Sequence, residues 1–477
     1  MSRDTVYLIT LMLLAAALRL YGLDSRSLWL DEATSLAIAG QPLSDILGGT
    51  GFDRHTPPFY YIVLHLWLLP LDPTVWSLRL LSVFCDVINT GLLFLVARAF
   101  LGSPAGLLSS FLWAASPYAV YYGQEGRMYS MAVTLLLVCT LLAAKLRNES
   151  FSLAHILLLA ATATAGLYTH YYFALAFAAL SLAVLLDYKT RPAYVLRWLA
   201  ACAAAGLAFL PWIGVVLQLA GSGGQSFRVF TFSVLPYTLF RFAAGYAVFP
   251  FQFDTKNDFI ASASAHGIEL AVYCIVFGGA AALGIWQLLK AKDGISKYVL
   301  LPLIFPPLAA LLVSIKVPML SERYLIVSYP AFLMCIAAWI CRSDGAKFKV
   351  AAAMLLELLL CIGLVMHFYN SEFGNTQWNE AAQIVEESAQ PNLVIINPDY
   401  AADVLAYYMP GKSIYSAIDQ LPETETFWLV ERGTADSMLS SFTATGWDTR
   451  KQILLPKENG IRLFLLGKTK TTSPDAN

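Results

Sequence analysis

The amino-acid sequence predicts an all-α polytopic membrane protein that ends in a small α/β domain. Of its 477 residues, 58% are hydrophobic and 13% are charged, and the mean hydropathy is +0.62. A soluble domain would carry about 25% charged residues. The apolar residues form stretches near the ~20 residues that an α-helix needs to cross a bilayer. After residue 370 this pattern gives way to short strands and helices, which indicates a soluble domain.

About eleven transmembrane helices are predicted, together with helices that lie in the membrane interface. The spans cover about residues 5–22, 76–100, 103–121, 126–146, 153–168, 171–187, 194–219, 264–289, 298–315, 323–341 and 348–369. The segment Pro57–Pro70 is bounded by prolines and is too short to cross, and Phe232–Phe249 is amphipathic. Both are predicted to be interfacial helices. All seven cysteines fall within spans, so no disulfide framework is expected.

The positions of Lys and Arg determine the predicted orientation. With the N-terminus in the cytoplasm, every inner connection carries a basic residue, as the positive-inside rule expects. These residues are Arg98, Lys145, Arg147, Lys189, Arg191, Lys290, Lys292, Lys297, Arg342, Lys347 and Lys349. We therefore expect a multi-pass protein of the plasma (inner) membrane. Its first outer loop (23–75), long outer loop (220–263) and tail would be extracytoplasmic.

The chain is predicted to divide into a membrane module at 1–369 and a small α/β domain at 370–477. The elements predicted in the tail are helices at Trp378–Ala389 and Asp403–Tyr408 and strands at Asn392–Asn397, 426–431, 450–455 and 460–466. About a hundred residues are enough for an independent domain. No internal repeat is visible, which argues against a transporter, since transporters are often built from repeats.

The first candidate site is a pair of adjacent carboxylates, Asp31 and Glu32, just outside the first span and beside Trp29. Burial at a membrane boundary can raise the pKa of a carboxyl group. A carboxylate is also the base that a transfer to an acceptor hydroxyl requires. The alternative is that the pair stabilises the N-terminus of an interfacial helix.

Arg54 and His55 form the second candidate, because they precede a double proline that defines a turn. The guanidinium fork of Arg54 matches phosphate oxygens. In the third candidate, Glu125, Arg127 and Tyr129 occupy a turn between two spans. Ionisable groups near membrane depth are paired or functional. The alternative there is a structural ion pair with the first carboxylates.

The fourth candidate is Arg323 with Tyr324, at the outer start of a span. An arginine opposes the helix dipole at this position, so Glu322 or a lipid phosphate is expected to offset it. His170 lies in the turn Tyr168–Tyr172, where we expect a local hydrogen bond more than a metal ligand.

Few charged residues fall deep inside the predicted spans, and among them are Arg19, Asp86 and Glu357. A transporter would carry such residues along a path through the membrane. We expect Asp86 to pair with a neighbouring hydroxyl or with Arg19.

Taken in order, these motifs resemble the GT-C superfamily of membrane glycosyltransferases. The similarity lies nearest the branch of the protein O-mannosyltransferases, the lipid A aminoarabinose transferases and the rhizobial lipopolysaccharide core transferases. It is carried by Leu28-Trp29-Leu30-Asp31-Glu32, His55-Thr56-Pro57-Pro58-Phe59-Tyr60-Tyr61, Ser77-Leu78-Arg79-Leu80-Leu81-Ser82 and Tyr122-Gly123-Gln124-Glu125-Gly126-Arg127-Met128-Tyr129. It covers roughly the first 190 residues well, is looser at Ser321–Tyr324 and is generic in the tail.

The resemblance implies a hexosyl- or pentosyltransferase that takes its sugar from a polyprenyl phosphate and works outside the cytoplasm with inversion. By motif position Asp31 would be the base and Glu32 would shape the site beside it. The resemblance also implies that Arg127 and Arg323 hold the lipid phosphate. From the residues themselves we add Arg54 as a phosphate-binding candidate. The residues expected to shape the substrate site are His55, Glu125, Tyr129, His170 and Tyr324.

Within this resemblance the chain departs from the usual family pattern at His55. Thr56 separates this histidine from the double proline, whereas a direct His-Pro pair is usual in the family. Some relatives use a divalent metal and others do not. Candidate ligands here are Asp31, Glu32, His55 and Glu125, and no spacing demands a metal.

Two other functions are kept as alternatives: a transporter or flippase of lipid-linked glycans, and an inactive accessory partner of a glycan assembly system. The partners expected for the enzyme are the polyprenyl-phosphate sugar, an acceptor of unknown class and the lipid bilayer. No nucleic acid partner is expected.

Overall fold

The computed structural model of the chain describes most of its sequence. The described residues are 2–48, 56–148, 152–221, 234–248, 266–316, 320–370, 373–388, 393–417, 420, 422, 424–433, 438–455 and 460–469. Arg54 and His55 lie outside these ranges, as does most of the long outer loop.

The chain forms two compact units, each described by itself. The first contains Met1–Leu23 and Gln41–Asn370, and the second contains Asp24–Gly40 and Ser371–Asn477. The segment that carries Asp31 and Glu32 therefore packs with residues of the tail. The predicted domain boundary at residue 369 stays a prediction.

The described part of the chain is mostly helical. In chain order its α-helices are α1 (Arg3–Leu20), α2 (Leu30–Ala39), α3 (Leu43–Gly48), α4 (Phe59–Leu68), α5 (Val75–Leu101), α6 (Ser103–Ala114), α7 (Pro117–Gly123), α8 (Tyr129–Asn148), α9 (Leu153–Leu167), α10 (Tyr171–Leu185), α11 (Pro192–Gly221), α12 (Val234–Ala244), α13 (Gly267–Tyr273), α14 (Gly279–Ala291), α15 (Lys297–Ser314), α16 (Tyr329–Arg342), α17 (Ala346–Tyr369), α18 (Trp378–Glu387), α19 (Ala402–Tyr408) and α20 (Leu439–Ala444). A π-helical turn at Cys274–Gly278 joins α13 to α14, and a 3₁₀ turn at Tyr324–Ser328 leads into α16.

Among the described residues, seven helical segments are long and apolar enough to cross a membrane. They are Val75–Leu101, Tyr129–Arg147, Pro192–Gln218, Gly267–Ala291, Lys297–Ser314, Tyr324–Arg342 and Lys347–Tyr369. Each matches a predicted span to within a few residues. The chain is therefore a multi-pass membrane protein.

The predicted count of eleven spans is not confirmed. α1 carries Arg3, Asp4 and Arg19 within 18 residues. The span predicted at 103–121 is divided into α6 and α7. α9 and α10 have 15 residues each, about 22 Å of helix, which is shorter than the ~30 Å hydrocarbon core. The two predicted interfacial segments form the short helices α4 and α12, and their place in the membrane stays a prediction.

A buried ion pair joins the first helices of the membrane unit. Arg19 Nε donates to Asp86 Oδ2 over 2.6 Å, and both side chains are 0% exposed. Arg19 also donates to the carbonyls of Trp113 and Ala114 at the end of α6. The indole of Trp113 donates to the same carboxylate oxygen over 3.2 Å. Of the two expected partners of Asp86, the structure therefore selects Arg19, and the pair ties α1 to α5 and α6.

Several predicted inner connections meet around one carboxylate. Asp187 Oδ2 accepts from Arg147 Nε over 2.9 Å, and its Oδ1 accepts from Lys297 Nζ. Tyr298 also donates to Asp187 over 2.8 Å, and Arg191 donates to the carbonyl of Arg147 over 2.6 Å. Burial raises the pKa of Asp187, and these hydrogen bonds more than offset that effect, so the pKa lies below its ordinary value. All seven cysteines are free thiols.

The second unit contains a five-stranded mixed sheet. Its strands are β1 (Val394–Asn397), β2 (Ile414–Tyr415), β3 (Thr426–Arg432), β4 (Trp447–Leu455) and β5 (Ile461–Lys468), in the order β2-β1-β3-β5-β4. β1 is parallel to β2 and β3, while β5 is antiparallel to β3 and β4. The predicted tail elements are confirmed, whereas β2 and α20 were not foreseen. α18 buries Trp378, Ala381, Ala382 and Val385, the spacing of one helix face.

The buried ion pair generates a stability prediction. We expect Asp86→Asn to cost about 3–5 kcal/mol of unfolding free energy, because it leaves the Arg19 guanidinium buried without its counter-charge. The measurement is thermal unfolding of the purified protein in detergent. Asp344→Asn, at an exposed loop position of the same unit, should stay within about 0.5 kcal/mol. Equal stability of the two variants would contradict a stabilising role for the pair.

Candidate functional site

The turn between α7 and α8 is packed too closely for side chains at its glycines. A Cβ atom on Gly123 would lie 2.8 Å from Arg19 Cγ, and one on Gly126 would lie 2.4 Å from Leu78 Cγ. The Gln124 amide donates to the carbonyls of Arg19 and Tyr21 over 3.0 and 2.8 Å. The turn that carries Glu125 and Arg127 therefore packs against the buried ion pair of Arg19 and Asp86.

Arg127 is held in a group of polar aromatic side chains at the end of the bundle. We call Tyr61, Arg127, Tyr129, His170 and Tyr324 the Arg127 cluster. The Arg127 side chain is only 4% exposed, and its Nη1 donates to the Tyr61 hydroxyl over 3.2 Å. The hydroxyl of Ser82 on α5 donates to the Arg127 carbonyl over 3.2 Å. The cluster therefore holds a fixed cation in a largely dehydrated place.

The four rings of the cluster come from four separate segments of the chain, which are α4, the start of α8, the turn before α10 and the 3₁₀ turn before α16. The ring centroid of His170 lies 5.8 Å from that of Tyr129 and 5.0 Å from that of Tyr324. Tyr172 lies 5.1 Å from Tyr324. The Phe59 amide donates to the Tyr168 carbonyl over 2.9 Å, which joins the start of α4 to the turn before α10. Predicted outer turns far apart in sequence are thus neighbours.

His170 has a neutral ring at this site. Its Nδ1 accepts from the Tyr172 amide over 3.1 Å and caps α10. Burial, and then the positive charge of Arg127, lowers the pKa of His170 to about 3. With Nδ1 occupied as an acceptor, the proton of the neutral ring resides on Nε2. The expected local hydrogen bond of His170 is confirmed.

Arg323 and Tyr324 begin the segment that leads into α16. Both side chains are half-buried, whereas the preceding Glu322 is 3% exposed. The hydroxyl of Ser321 donates to Glu322 Oε2 over 3.2 Å, and Tyr118 donates to the Glu322 carbonyl over 3.1 Å. Which anion offsets the charge of Arg323, Glu322 or a lipid phosphate, stays a prediction.

One buried arginine near this face was missed in the sequence. Arg241 is 1% exposed and donates to the carbonyls of Gly245 and Tyr246 over 3.0 and 3.1 Å. The hydroxyls of Tyr246 and Tyr122 lie 2.6 Å apart. Burial, with the nearby Tyr246, raises the pKa of Tyr122 well above its ordinary value, so its phenol stays protonated. The sequence signal that could have identified Arg241 is its position as a single charged residue within the apolar segment of α12.

Asp31 and Glu32 belong to the second unit, in the first turn of α2. Glu32 is 1% exposed, and its Oε2 accepts from the Trp29 amide over 3.4 Å, which caps the helix. Asp31 is half-exposed, and its carbonyl accepts from the hydroxyl of Ser35 over 2.8 Å. The capping role expected as one alternative thus applies to Glu32, and the side chain of Asp31 stands at a helix N-terminus.

The structure groups the predicted site residues in two sets. Arg127, Tyr129, His170 and Tyr324 come together in the first unit, with Glu125 in the same turn. The two first carboxylates lie in the second unit, and the Arg54–His55 pair falls outside the described ranges. Within those ranges no three His, Cys, Asp or Glu side chains are grouped to hold a metal ion.

The low pKa of His170 predicts how stability varies with pH. Between its folded pKa of about 3 and its ordinary value of 6.5, the unfolded chain binds more protons than the folded one. Stability contributed by neutral His170 is therefore full above the upper value and lost as the pH falls. We expect His170→Asn, which keeps a cap acceptor, to flatten the rise of the thermal midpoint between pH 4.5 and about 6.5. A difference between the two proteins that is constant over this range would contradict the shift.

Comparison with known proteins supports the fold and its relation to glycosyltransferases. Residues 55–215 match the family model of the dolichyl-phosphate-mannose-protein mannosyltransferases. No curated protein sequence gives a significant match. Among solved structures, ArnT from Cupriavidus metallidurans in its apo state is similar with a TM-score of 0.62 at 11% identity, over 97% of this chain and 98% of that one. The same protein bound to undecaprenyl phosphate gives 0.60 at 12% identity, over 99% and 100%.

Two larger proteins share the architecture. AglB, an archaeal oligosaccharyltransferase from Archaeoglobus fulgidus in complex with an inhibitory peptide and a dolichol-phosphate, gives a TM-score of 0.54 at 10% identity, over 90% of this chain and 69% of that one. The arabinofuranosyltransferase AftD from Mycobacteria gives 0.52 at 13% identity, over 99% of this chain and 40% of that one. The chain therefore has the fold of the GT-C superfamily of membrane glycosyltransferases, as its sequence motifs predicted.

Proposed function

We propose that the protein is an integral membrane glycosyltransferase that moves a sugar from a polyprenyl phosphate to an acceptor hydroxyl outside the cytoplasm. The observation that carries the proposal is the buried Arg127 guanidinium beside the neutral His170 ring. A fixed cation in a dehydrated site stabilises the charge that a phosphate gains as it leaves a sugar. The capture of ArnT with undecaprenyl phosphate and of AglB with a dolichol-phosphate supports this class of donor.

In the proposed reaction the acceptor oxygen attacks the anomeric carbon of the sugar. The Asp31 carboxylate takes the hydroxyl proton, and the bond between the anomeric carbon and the phosphate oxygen breaks. The polyprenyl phosphate leaves with the electron pair, and direct displacement inverts the anomeric configuration. Arg127, with Arg323 and Arg54, offsets the phosphate charge, because guanidinium forks match its oxygens.

The remaining candidates have supporting roles in this proposal. Glu32 caps α2 and so holds the first turn that carries Asp31. His170 offers an Nε2–H to a substrate oxygen, and the rings of Tyr129 and Tyr324 flank it. Glu125 and His55 are assigned to shaping the substrate site. The location in the plasma (inner) membrane, with the active site extracytoplasmic, is part of the same proposal.

The first test is direct transfer by the purified protein in nanodiscs, with a panel of radiolabelled polyprenyl-phosphate sugars. Release of label from one lipid would establish the transferase and identify its donor. We expect Asp31→Asn to lower the rate about 10²–10⁴-fold while donor binding is retained, since only the base is lost. Asp45→Asn, an acidic residue in the first turn of α3, is the matched control and should transfer normally. Binding without release by the natural chain would favour the flippase or the accessory partner.

The phosphate-binding role of Arg323 has its own prediction. Arg323→Ala should raise the apparent donor KM about tenfold or more, because a charge-assisted hydrogen bond to the phosphate is worth about 1.5–3 kcal/mol. Arg342→Ala, at the opposite end of the same span, is the control and should leave the KM unchanged. An unaltered donor KM in Arg323→Ala would instead support a local ion pair with Glu322.

A further inference from the structure

The peptide group between Ser27 and Leu28 is held from both sides by residues of the tail. The Asn375 Nδ2 donates to the Ser27 carbonyl over 2.7 Å, and the Leu28 amide donates to the Tyr408 hydroxyl oxygen over 2.7 Å. The carbonyl and the amide belong to one planar peptide unit. The orientation of that plane is therefore determined by residues 348 and 380 positions away in sequence.

These contacts lie within the second unit, and the two residues whose peptide group they bind are buried. Leu28 is fully buried, and α2 packs against α19, which ends at Tyr408. The Asn379 amide approaches the Ser27 hydroxyl at 3.4 Å, and the guanidinium of Arg26 lies 5.4 Å from the Phe373 ring centroid. A buried backbone group has no water to replace a lost partner. Removal of either the Asn375 amide or the Tyr408 hydroxyl therefore forces the peptide plane to rotate, or leaves its carbonyl or its amide without a hydrogen bond.

The peptide group between Ser27 and Leu28 directly precedes the helix turn that carries Asp31. The next amide, that of Trp29, is bound by Glu32, and Asp31 follows one residue after Leu30, the first residue of α2. A rotation of the plane between Ser27 and Leu28 would change where α2 starts and where the Asp31 carboxylate points. Small displacements of a catalytic group are enough to cost large factors in rate.

We infer that Tyr408 and Asn375 are positioning residues for Asp31, so that the C-terminal domain orients the base of the reaction. The inference rests on the proposed function, in which Asp31 accepts the acceptor proton. The domain of the tail then contributes to turnover through the backbone of the Ser27–Asp31 segment, without contact with the sugar.

The test uses the full-length protein in nanodiscs with the labelled donor identified above. Tyr408→Phe removes the acceptor of the Leu28 amide, and Asn375→Asp replaces a donor by an acceptor of the same shape. We expect each to lower kcat about tenfold or more, with the donor KM within about twofold of the natural value. Tyr400→Phe is the matched control, since Tyr400 lies in the same domain and is 63% exposed. Its kcat should be unchanged.

A double variant separates positioning from other roles. If Tyr408 acts through Asp31, adding Tyr408→Phe to Asp31→Asn should leave the residual single-turnover rate unchanged. A further tenfold loss in that background, a change confined to KM, or a natural kcat in both single variants would overturn the inference. Thermal midpoints and donor binding show whether each variant is folded. Asp31→Asn that transfers sugar at the natural rate would overturn the proposed function itself, whatever Tyr408→Phe does.

Discussion

The membrane unit depends on one buried ion pair, that of Arg19 with Asp86. Two charges taken out of water are tolerated where they are paired and receive further hydrogen bonds. Here the guanidinium also binds the carbonyls at the end of α6, and the carboxylate receives the indole of Trp113. Gly123 packs directly on the pair, and Gln124 binds the end of α1. The turn that carries Arg127 consequently packs on the Arg19–Asp86 ion pair and is hydrogen-bonded to the end of α1.

The chemistry of the Arg127 cluster follows from its dehydration. A guanidinium keeps its charge when buried, whereas an imidazole loses it, so the two neighbours adopt different states in the same environment. The result is a permanent cation beside a neutral donor. In the proposed reaction the leaving phosphate needs the Arg127 cation, and the uncharged sugar oxygens suit the neutral His170 ring. The rings of Tyr129 and Tyr324 pack beside the imidazole, and the Tyr61 phenol accepts a hydrogen bond from Arg127.

The second unit changes how the proposed base is understood. Asp31 stands on a short helix that packs with the tail, and its preceding backbone is bound by side chains of that tail. Under the proposed function, the tail domain therefore supports the backbone that leads to the base, whereas composition alone indicates only a soluble domain. Glu32, which was predicted to shape the site beside Asp31, binds the Trp29 amide at the helix start.

The sequence by itself determined the membrane class, seven of the spans and most tail elements, because hydropathy, length and periodicity are local properties. It also proposed site candidates, Arg127 and Tyr324 through motif order and His170 through its place in a polar turn between two spans. Only the tertiary structure decided that Asp86 pairs with Arg19. It also decided that Arg127 donates to the Tyr61 hydroxyl and that Arg241 donates to the carbonyl of Tyr246. The same is true of the packing of the Asp31 helix with the tail. These contacts join residues distant in sequence, and no local pattern encodes which polar groups become neighbours once the helices pack.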